Sequence, residues 1–206
     1  MFLKCLQAGP LLANCYILAD EKSGKAIVVD PGGDAADILD VLSGQGFKVE
    51  FIILTHGHID HIGGVREIKK ATGARIVIHE KDSQMLLSSR ENLSEYLGAG
   101  VTQPEADVKL KGGEKLTAGS LELEIIHTPG HTPGSICIKT GNLIFTGDTL
   151  FAGSVGRTDF PGGSYDELIN SIKYKLLTQA DDTIIYPGHG IKTTIGQERD
   201  TNPFLR

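Results

Sequence analysis

Six of the seven histidines in this 206-residue chain fall in three short segments: His56, His58 and His61; His127 and His131; and His189. Each segment follows an apolar run of strand length, at Val49–Leu54, Leu121–Ile126 and Thr183–Tyr186. Loops at strand ends are where layered α/β proteins carry their sites. In extended backbone, side chains two apart point to the same side, so His56 and His58 can aim at one point. Asp60 and His61 fall where the chain turns into a helix and can aim at a neighbouring point. His131 and His189 complete one side each. Asp148, in Phe145-Thr-Gly-Asp148-Thr, is an acceptor-only carboxylate able to bridge the two. Imidazole nitrogen mixed with carboxylate oxygen suits zinc, iron or manganese, whereas calcium would take more oxygens. His79 stands alone and reads as an ordinary loop histidine. His127 reads as a structural or supporting neighbour, and Cys137, mid-strand among apolar residues, as core.

The order of elements predicts an α/β layered fold. The N-terminal stretch reads as a first strand, with Cys15–Ala19 and Ala26–Val29 joined by a turn over Glu21–Lys25. Asp34 is the expected N-cap of a helix with Ile38, Leu39, Val41 and Leu42 on one face, ended by Gly44 and Gly46. After the strand Val49–Leu54, the spacing of Ile62, Val65 and Ile68 predicts one amphipathic helix closed by Gly73. A strand at Ala74–Ile78 and a helix at Lys81–Leu87 follow. Ser88–Lys111 has no clear period and reads as a loop flanking a site. Strands resume at Leu121–Ile126, Ile136–Lys139 and Leu143–Thr146. Ser164 and Glu167 form a capping box opening the last helix, with Leu168, Ile172 and Leu176 buried. The strand Thr183–Tyr186 closes the pattern. No linker or repeat divides the chain, which predicts one domain over residues 1–206.

Composition removes several function classes. Twenty Lys and Arg against 26 Asp and Glu give a net charge of −6 without a basic cluster, which argues against a nucleic-acid surface. No run approaches the roughly 20 apolar residues that span a bilayer. The N-terminus carries a single Lys4 and several Leu, but Gln7, Pro10 and Asn14 interrupt it and no small-residue cleavage site follows, so it does not read as a signal peptide. The three cysteines are widely spaced and form no framework, so the expected location is cytoplasmic.

The segment Thr55-His56-Gly57-His58-Ile59-Asp60-His61 resembles the T-H-x-H-x-D-H motif of the metallo-β-lactamase superfamily, with His131, Asp148 and His189 following in that family's order. The resemblance spans essentially the whole chain. It implies an αββα sandwich, two facing mixed sheets with helices outside and the metal site at one edge. It also implies two divalent ions per chain: His56, His58 and His131 on the first, Asp60, His61 and His189 on the second, and Asp148 shared. Zinc is the expected ion, and iron and manganese accept the same ligands. Asp60 and Asp148 would act catalytically through a metal-bridging hydroxide, and Asp30 would support the ligand loop.

His127-Thr-Pro-Gly-His131-Thr-Pro-Gly and Gly147-Asp148-Thr-Leu-Phe151 are similar to the hydroxyacylglutathione hydrolase (glyoxalase II) branch and its compact bacterial relatives. Hydrolysis of a small anionic acyl thioester is the implied activity. The short tail after His189 leaves no room for that branch's C-terminal glutathione-binding helical domain. The alternative is a persulfide dioxygenase using one iron, which shares the Gly-Arg-Thr-Asp-Phe segment at 156–160. A non-catalytic metal-binding module is the third class, and a secreted β-lactamase or a nuclease fits less well. Arg157 has two readings, as an ion pair with Asp159 or as a site for a substrate carboxylate. Oligomeric state is left open.

Overall fold

A computed structural model describes residues 1–206. Two six-stranded sheets face each other, and helices cover the outer face of each, the αββα arrangement expected. The first sheet follows chain order: β1 (Phe2–Ala8), β2 (Ala13–Asp20), β3 (Lys25–Val29), β4 (Lys48–Ile53), β5 (Arg75–His79) and β6 (Val108–Leu110). β1 to β3 are antiparallel neighbours. From β3 onward the pairing is parallel, and parallel pairing requires crossovers. These are α1 (Ala35–Gly44), then α2 (Ile59–Ile62) with α3 (Val65–Thr72), then a long connection beginning with a 3₁₀ turn at Glu80–Leu87.

The second sheet contains β7 (Lys115–Ala118), β8 (Leu121–His127), β9 (Ile136–Thr140) and β10 (Leu143–Gly147). A separate hairpin of β11 (Leu150–Phe151) and β12 (Ser154–Val155) leads to α4 (Tyr165–Ser171). β13 (Ile184–Pro187) pairs parallel to β10, and β14 (Thr193–Thr194) and α5 (Ile195–Thr201) complete the chain.

The two-residue strand period sorts the apolar side chains into three layers. Ile17, Val28 and Ile52 point outward onto Ile38, Leu42, Val65 and Ile68 of the helices. Their neighbours Leu18, Ile27 and Ile53 point inward onto Leu123, Ile125, Ile138 and Phe145 of the other sheet. Cys137, Ile144 and Ile185 meet Leu168, Ile172, Leu176 and Ile195 on the far side. Cys137 is therefore core, as expected, and no cysteine forms a disulfide. Burial of each such aliphatic side chain contributes about 1.5–3 kcal/mol, so a one-residue register slip in any central strand is strongly disfavoured.

Several local expectations are corrected. The N-terminal stretch is two strands, β1 and β2, turned at Gly9–Leu12. Asp34 sits at the N-cap of α1 but makes no capping bond, because its carboxylate accepts from the Gly9 N–H at 2.8 Å. The single helix expected after His61 is broken at Gly63–Gly64 by close approach to the Asp30–Gly33 loop. A Cβ on Gly63 would lie 2.3 Å from the Gly32 carbonyl, and the Gly64 N–H donates to the Pro31 carbonyl at 2.7 Å. Lys81–Leu87 is 3₁₀ rather than α-helical. Ser164 accepts from the Glu167 N–H, but its own N–H goes to the Gly130 carbonyl rather than to Glu167, so the box is half formed. The helix opened by α4 ends in a π turn at Ile172–Leu176 and is not the last, since α5 follows. No helix is long and apolar enough to cross a membrane.

Candidate metal centre

The loops after β4, β8, β10 and β13 open at the same edge of the sandwich and bring His56, His58, Asp60, His61, His131, Asp148 and His189 together. Three groupings place their ligand atoms within 4.8 Å of one another: His56, His58 and His131; Asp60, His61 and His189; and His56, His61 and Asp148. Asp148 reaches this position through a bulge. The β10–β13 register shifts between Phe145 and Gly147, and Gly147 adopts φ +47°, where an added Cβ would lie 2.2 Å from Thr55 Oγ1. The bulge re-aims the following side chain into the centre.

Hydrogen-bond directions set the histidine tautomers. Asp30 is buried below the centre, and its Oδ1 accepts from the Thr55 N–H at 2.7 Å. Its Oδ2 accepts from the Thr55 hydroxyl at 2.6 Å and from His61 Nδ1 at 3.0 Å. Having spent its proton on Asp30, Thr55 Oγ1 accepts from His56 Nδ1 at 3.1 Å. Both imidazoles therefore keep an Nε2 lone pair facing inward. His131 is oriented likewise, its Nδ1 donating to the Arg157 carbonyl at 2.7 Å. His58 Nδ1 and His131 Nε2 lie 3.0 Å apart, and His189 Nε2 lies 3.1 Å from Asp60 Oδ2.

Three buried atoms here have no hydrogen-bond partner: His56 Nε2, His61 Nε2 and Asp148 Oδ1. An orphaned buried polar atom is costly, and three converging on one point fit a cation that takes lone pairs. Burial and the neighbouring imidazoles push His56 well below its ordinary value. Burial and His131 push His58 down to about 3, and burial lowers His131. These rings are neutral, the form that ligates. For His61, the Asp148 and Asp60 carboxylates outweigh burial and raise the value. Asp60 and Asp148 are held low by His61 against the opposing effect of burial.

The cluster floors a cleft of about 900 Å³ with apolar walls from Leu11, Leu93, Tyr96, Leu97, Phe151 and Phe160. Leu93, Tyr96 and Leu97 come from the stretch that carries no period in the sequence. Arg157 is on the rim, with Nε and Nη2 on the two Asp159 oxygens at 2.7 and 2.6 Å and its guanidinium 4.0 Å over the Phe160 ring. His127 and His79 stay outside the cluster. They stack on each other with centroids 4.0 Å apart, and His127 Nε2 is 3.0 Å from the Pro133 carbonyl. Thr55 and Asp82 bond to the loops that carry the cluster, and the sequence reading singled out neither. Asp82 lies just past the end of β5, where polar residues following a strand are the signal that could have found it.

A two-sheet sandwich with a His/Asp cluster capable of binding metal at its edge defines a class of metalloproteins. The model described as "Metallo-beta-lactamase superfamily" matches residues 8–189, and the chain belongs to that superfamily. It is 40% identical to hydroxyacylglutathione hydrolase GloC of Haemophilus influenzae over 93% of this chain and 92% of that protein. Among solved structures, BLEG-1 B3 metallo-beta-lactamase superposes with a TM-score of 0.95 at 38% identity, covering 99% of both chains. TTHA1623 in a di-iron-bound form gives 0.86 at 34% over the whole of both chains. ETHE1 from Myxococcus xanthus gives 0.83 at 28%, over 98% of this chain and 84% of that one.

Proposed function

We propose that this chain is a metallohydrolase of acyl thioesters of the hydroxyacylglutathione kind, holding two divalent ions. The observation that carries the reading is the convergence of His56 Nε2, His61 Nε2 and Asp148 Oδ1, buried and unpartnered, at the floor of an open cleft. His56, His58 and His131 would hold one ion and Asp60, His61 and His189 the other, with Asp148 placed to serve both. Divalent ions at such a site supply a hydroxide nucleophile at neutral pH and polarise a carbonyl. The chain's residues do the rest. Asp30 and Thr55 fix the tautomers, the apolar walls seat the substrate, and a thiolate leaving group, with its parent thiol ionising near pH 8.5, needs little proton donation. The 40% identical GloC supports the thioester class.

The deciding assay follows free thiol release from S-lactoylglutathione under anaerobic conditions, with metal content measured on the same sample. Thiol release with two metals per chain is expected, zinc being the expected ion and iron the one bound in TTHA1623. Oxygen uptake with glutathione persulfide, one iron per chain and no thioester cleavage would overturn the reading. So would faster turnover of a β-lactam than of any thioester.

Arg157 is proposed to meet a substrate carboxylate. Arg157 is 58% and its partner Asp159 65% exposed, and water screens such a surface pair, so exchange of Asp159 for a substrate anion costs little. Arg157→Ala should raise KM for anionic thioesters about 10- to 100-fold, the size of a charged hydrogen bond, with thermal stability nearly unchanged. An unaltered preference for anionic over neutral thioesters in the variant would sink the role.

A further inference from the structure

We infer that Asp82 is a positioning residue of the metal centre, holding the His131 loop to the 3₁₀ turn that packs on the His56–His58 loop. The inference rests on the metal-binding part of the proposed function and not on its substrate. Asp82 lies in the 3₁₀ turn after β5 and is completely buried. Its Oδ2 accepts from the Thr132 hydroxyl at 2.6 Å, and its Oδ1 accepts from the Gly134 N–H at 2.7 Å. Met85 of the same turn packs on Gly57, between His56 and His58. The turn that carries Asp82 thus bonds to one loop and packs on another, and the two loops carry three of the proposed ligands.

The contacts leave little slack. A Cβ on Gly134 would lie 2.5 Å from Asp82 Oδ1, and one on Gly57 would lie 2.6 Å from the Cβ of Met85, in the same 3₁₀ turn. The polarity of the His131 loop also follows from the carboxylate. Because Asp82 only accepts, Thr132 Oγ1 donates to it and takes its own bond from the Ser135 hydroxyl at 2.7 Å, while Ser135 Oγ accepts from the Thr132 N–H at 3.0 Å. The residue next to His131 is thereby held by three bonds before the imidazole meets any ion.

Fold stability alone does not account for this carboxylate. Burial pushes Asp82 up from 3.8 to about 6. A folded-state value above the unfolded one means that the charged form weakens the fold as pH rises through that window, and the penalty is in full force at neutral pH. An apolar residue would avoid it. What an apolar residue cannot supply is a pair of acceptors for the Thr132 hydroxyl and the Gly134 N–H at once. Outer partners of this kind change metal affinity about 10- to 100-fold.

The test measures Co(II) affinity by chelator competition, the Co(II) d–d spectrum, and the melting temperature of the metal-free protein, in wild type, Asp82→Ala, Asp82→Asn and Thr132→Val. Asp82→Ala should weaken Co(II) binding about 10- to 100-fold and alter the spectrum. Asp82→Asn, which keeps one acceptor for the Gly134 N–H, should recover most of the affinity. Thr132→Val, which keeps the shape and loses the donor, should fall between and serves if the alanine variant does not fold. With wild type binding Co(II), affinities and spectra unchanged across the variants overturn the Asp82 inference alone, whatever happens to melting temperature. No Co(II) binding by wild type overturns the metal reading and the inference with it. Binding without thioesterase activity overturns only the substrate reading.

Discussion

Asp148→Ala is expected to strip metal from both positions and to abolish turnover. Asp148 is the carboxylate that faces both half-sets of imidazoles: its oxygens lie 3.3 Å from His61 Nε2 and 3.7 Å from both His131 Nε2 and His189 Nε2. Deleting it removes a carboxylate that faces both proposed dications and so raises their mutual repulsion. With the ions would go the hydroxide nucleophile and the Lewis acid that stabilises the negative charge developing on the carbonyl oxygen, a single such stabilising group being commonly worth about 10²–10³ in rate, so thiol release should fall about 10³-fold or more. Asp148 makes no structural hydrogen bond with either loop backbone, so the metal-free variant should melt close to the metal-free wild type. Metal analysis after gel filtration, paired with the thiol assay, reads the outcome. Two metals per chain and most of the activity in the variant would show that the ligand is not shared.

Asp30→Asn has the second largest expected effect, and it acts without touching either ion. Asp30 lies at φ +49°, its side chain folded under the motif loop to receive three donors, from the Thr55 N–H, the Thr55 hydroxyl and His61 Nδ1. Asparagine keeps the shape but turns one acceptor into an amine. With its carbonyl on the Thr55 N–H, its NH₂ group faces His61 Nδ1 and Thr55 Oγ1, both of which were donors to aspartate. His61 then accepts at Nδ1 and carries its proton on Nε2, where a lone pair is needed for the ion. Thr55 turns to donate to His56 Nδ1, which forces the same wrong tautomer on the second imidazole. Metal affinity should fall about 100-fold or more, at or beyond the upper end for an outer partner because two ligands are affected. Stability should drop by about 1–2 kcal/mol, because bonds to a charged carboxylate give way to bonds with a neutral amide. Isothermal titration with zinc and the melting curve of the metal-free protein separate the two effects. Asp30→Asn binding zinc as tightly as wild type would show that tautomer control does not run through Asp30.

The two predictions draw on features of different legibility. The histidine segments and Asp148 are readable because ligand types are rare, strand-end placement is visible in the apolar runs before them, and alternation makes His56 and His58 share a side. The three-layer core was not readable in this way, since Ile27 and Val28 are both apolar and only the packing assigns them to different layers. Asp82 and Thr55 are ordinary residue types whose importance depends on what donates to them from far along the chain. Thr132 and Gly134 are about fifty residues from Asp82, and Thr55 is 25 from Asp30. The wall residues Leu93, Tyr96 and Leu97 follow no period, because that connection is shaped by turns and by capture of its carbonyls, as where Asn92 and Ser94 bond to Val101.

The sequence by itself determined the candidate ligand residues, the strand-end loops that carry them and a layered α/β fold, because each is a local pattern of residue type and spacing; the two-sheet sandwich was implied by the resemblance of the motif to a known family. Tertiary structure alone decided that the helix after His61 breaks at Gly63–Gly64, that Asp148 is re-aimed by a bulge, which nitrogen of each histidine faces the centre, and that Arg157 pairs with Asp159. These depend on how closely two backbones approach and on which donor reaches which acceptor, and both are settled only when distant segments pack.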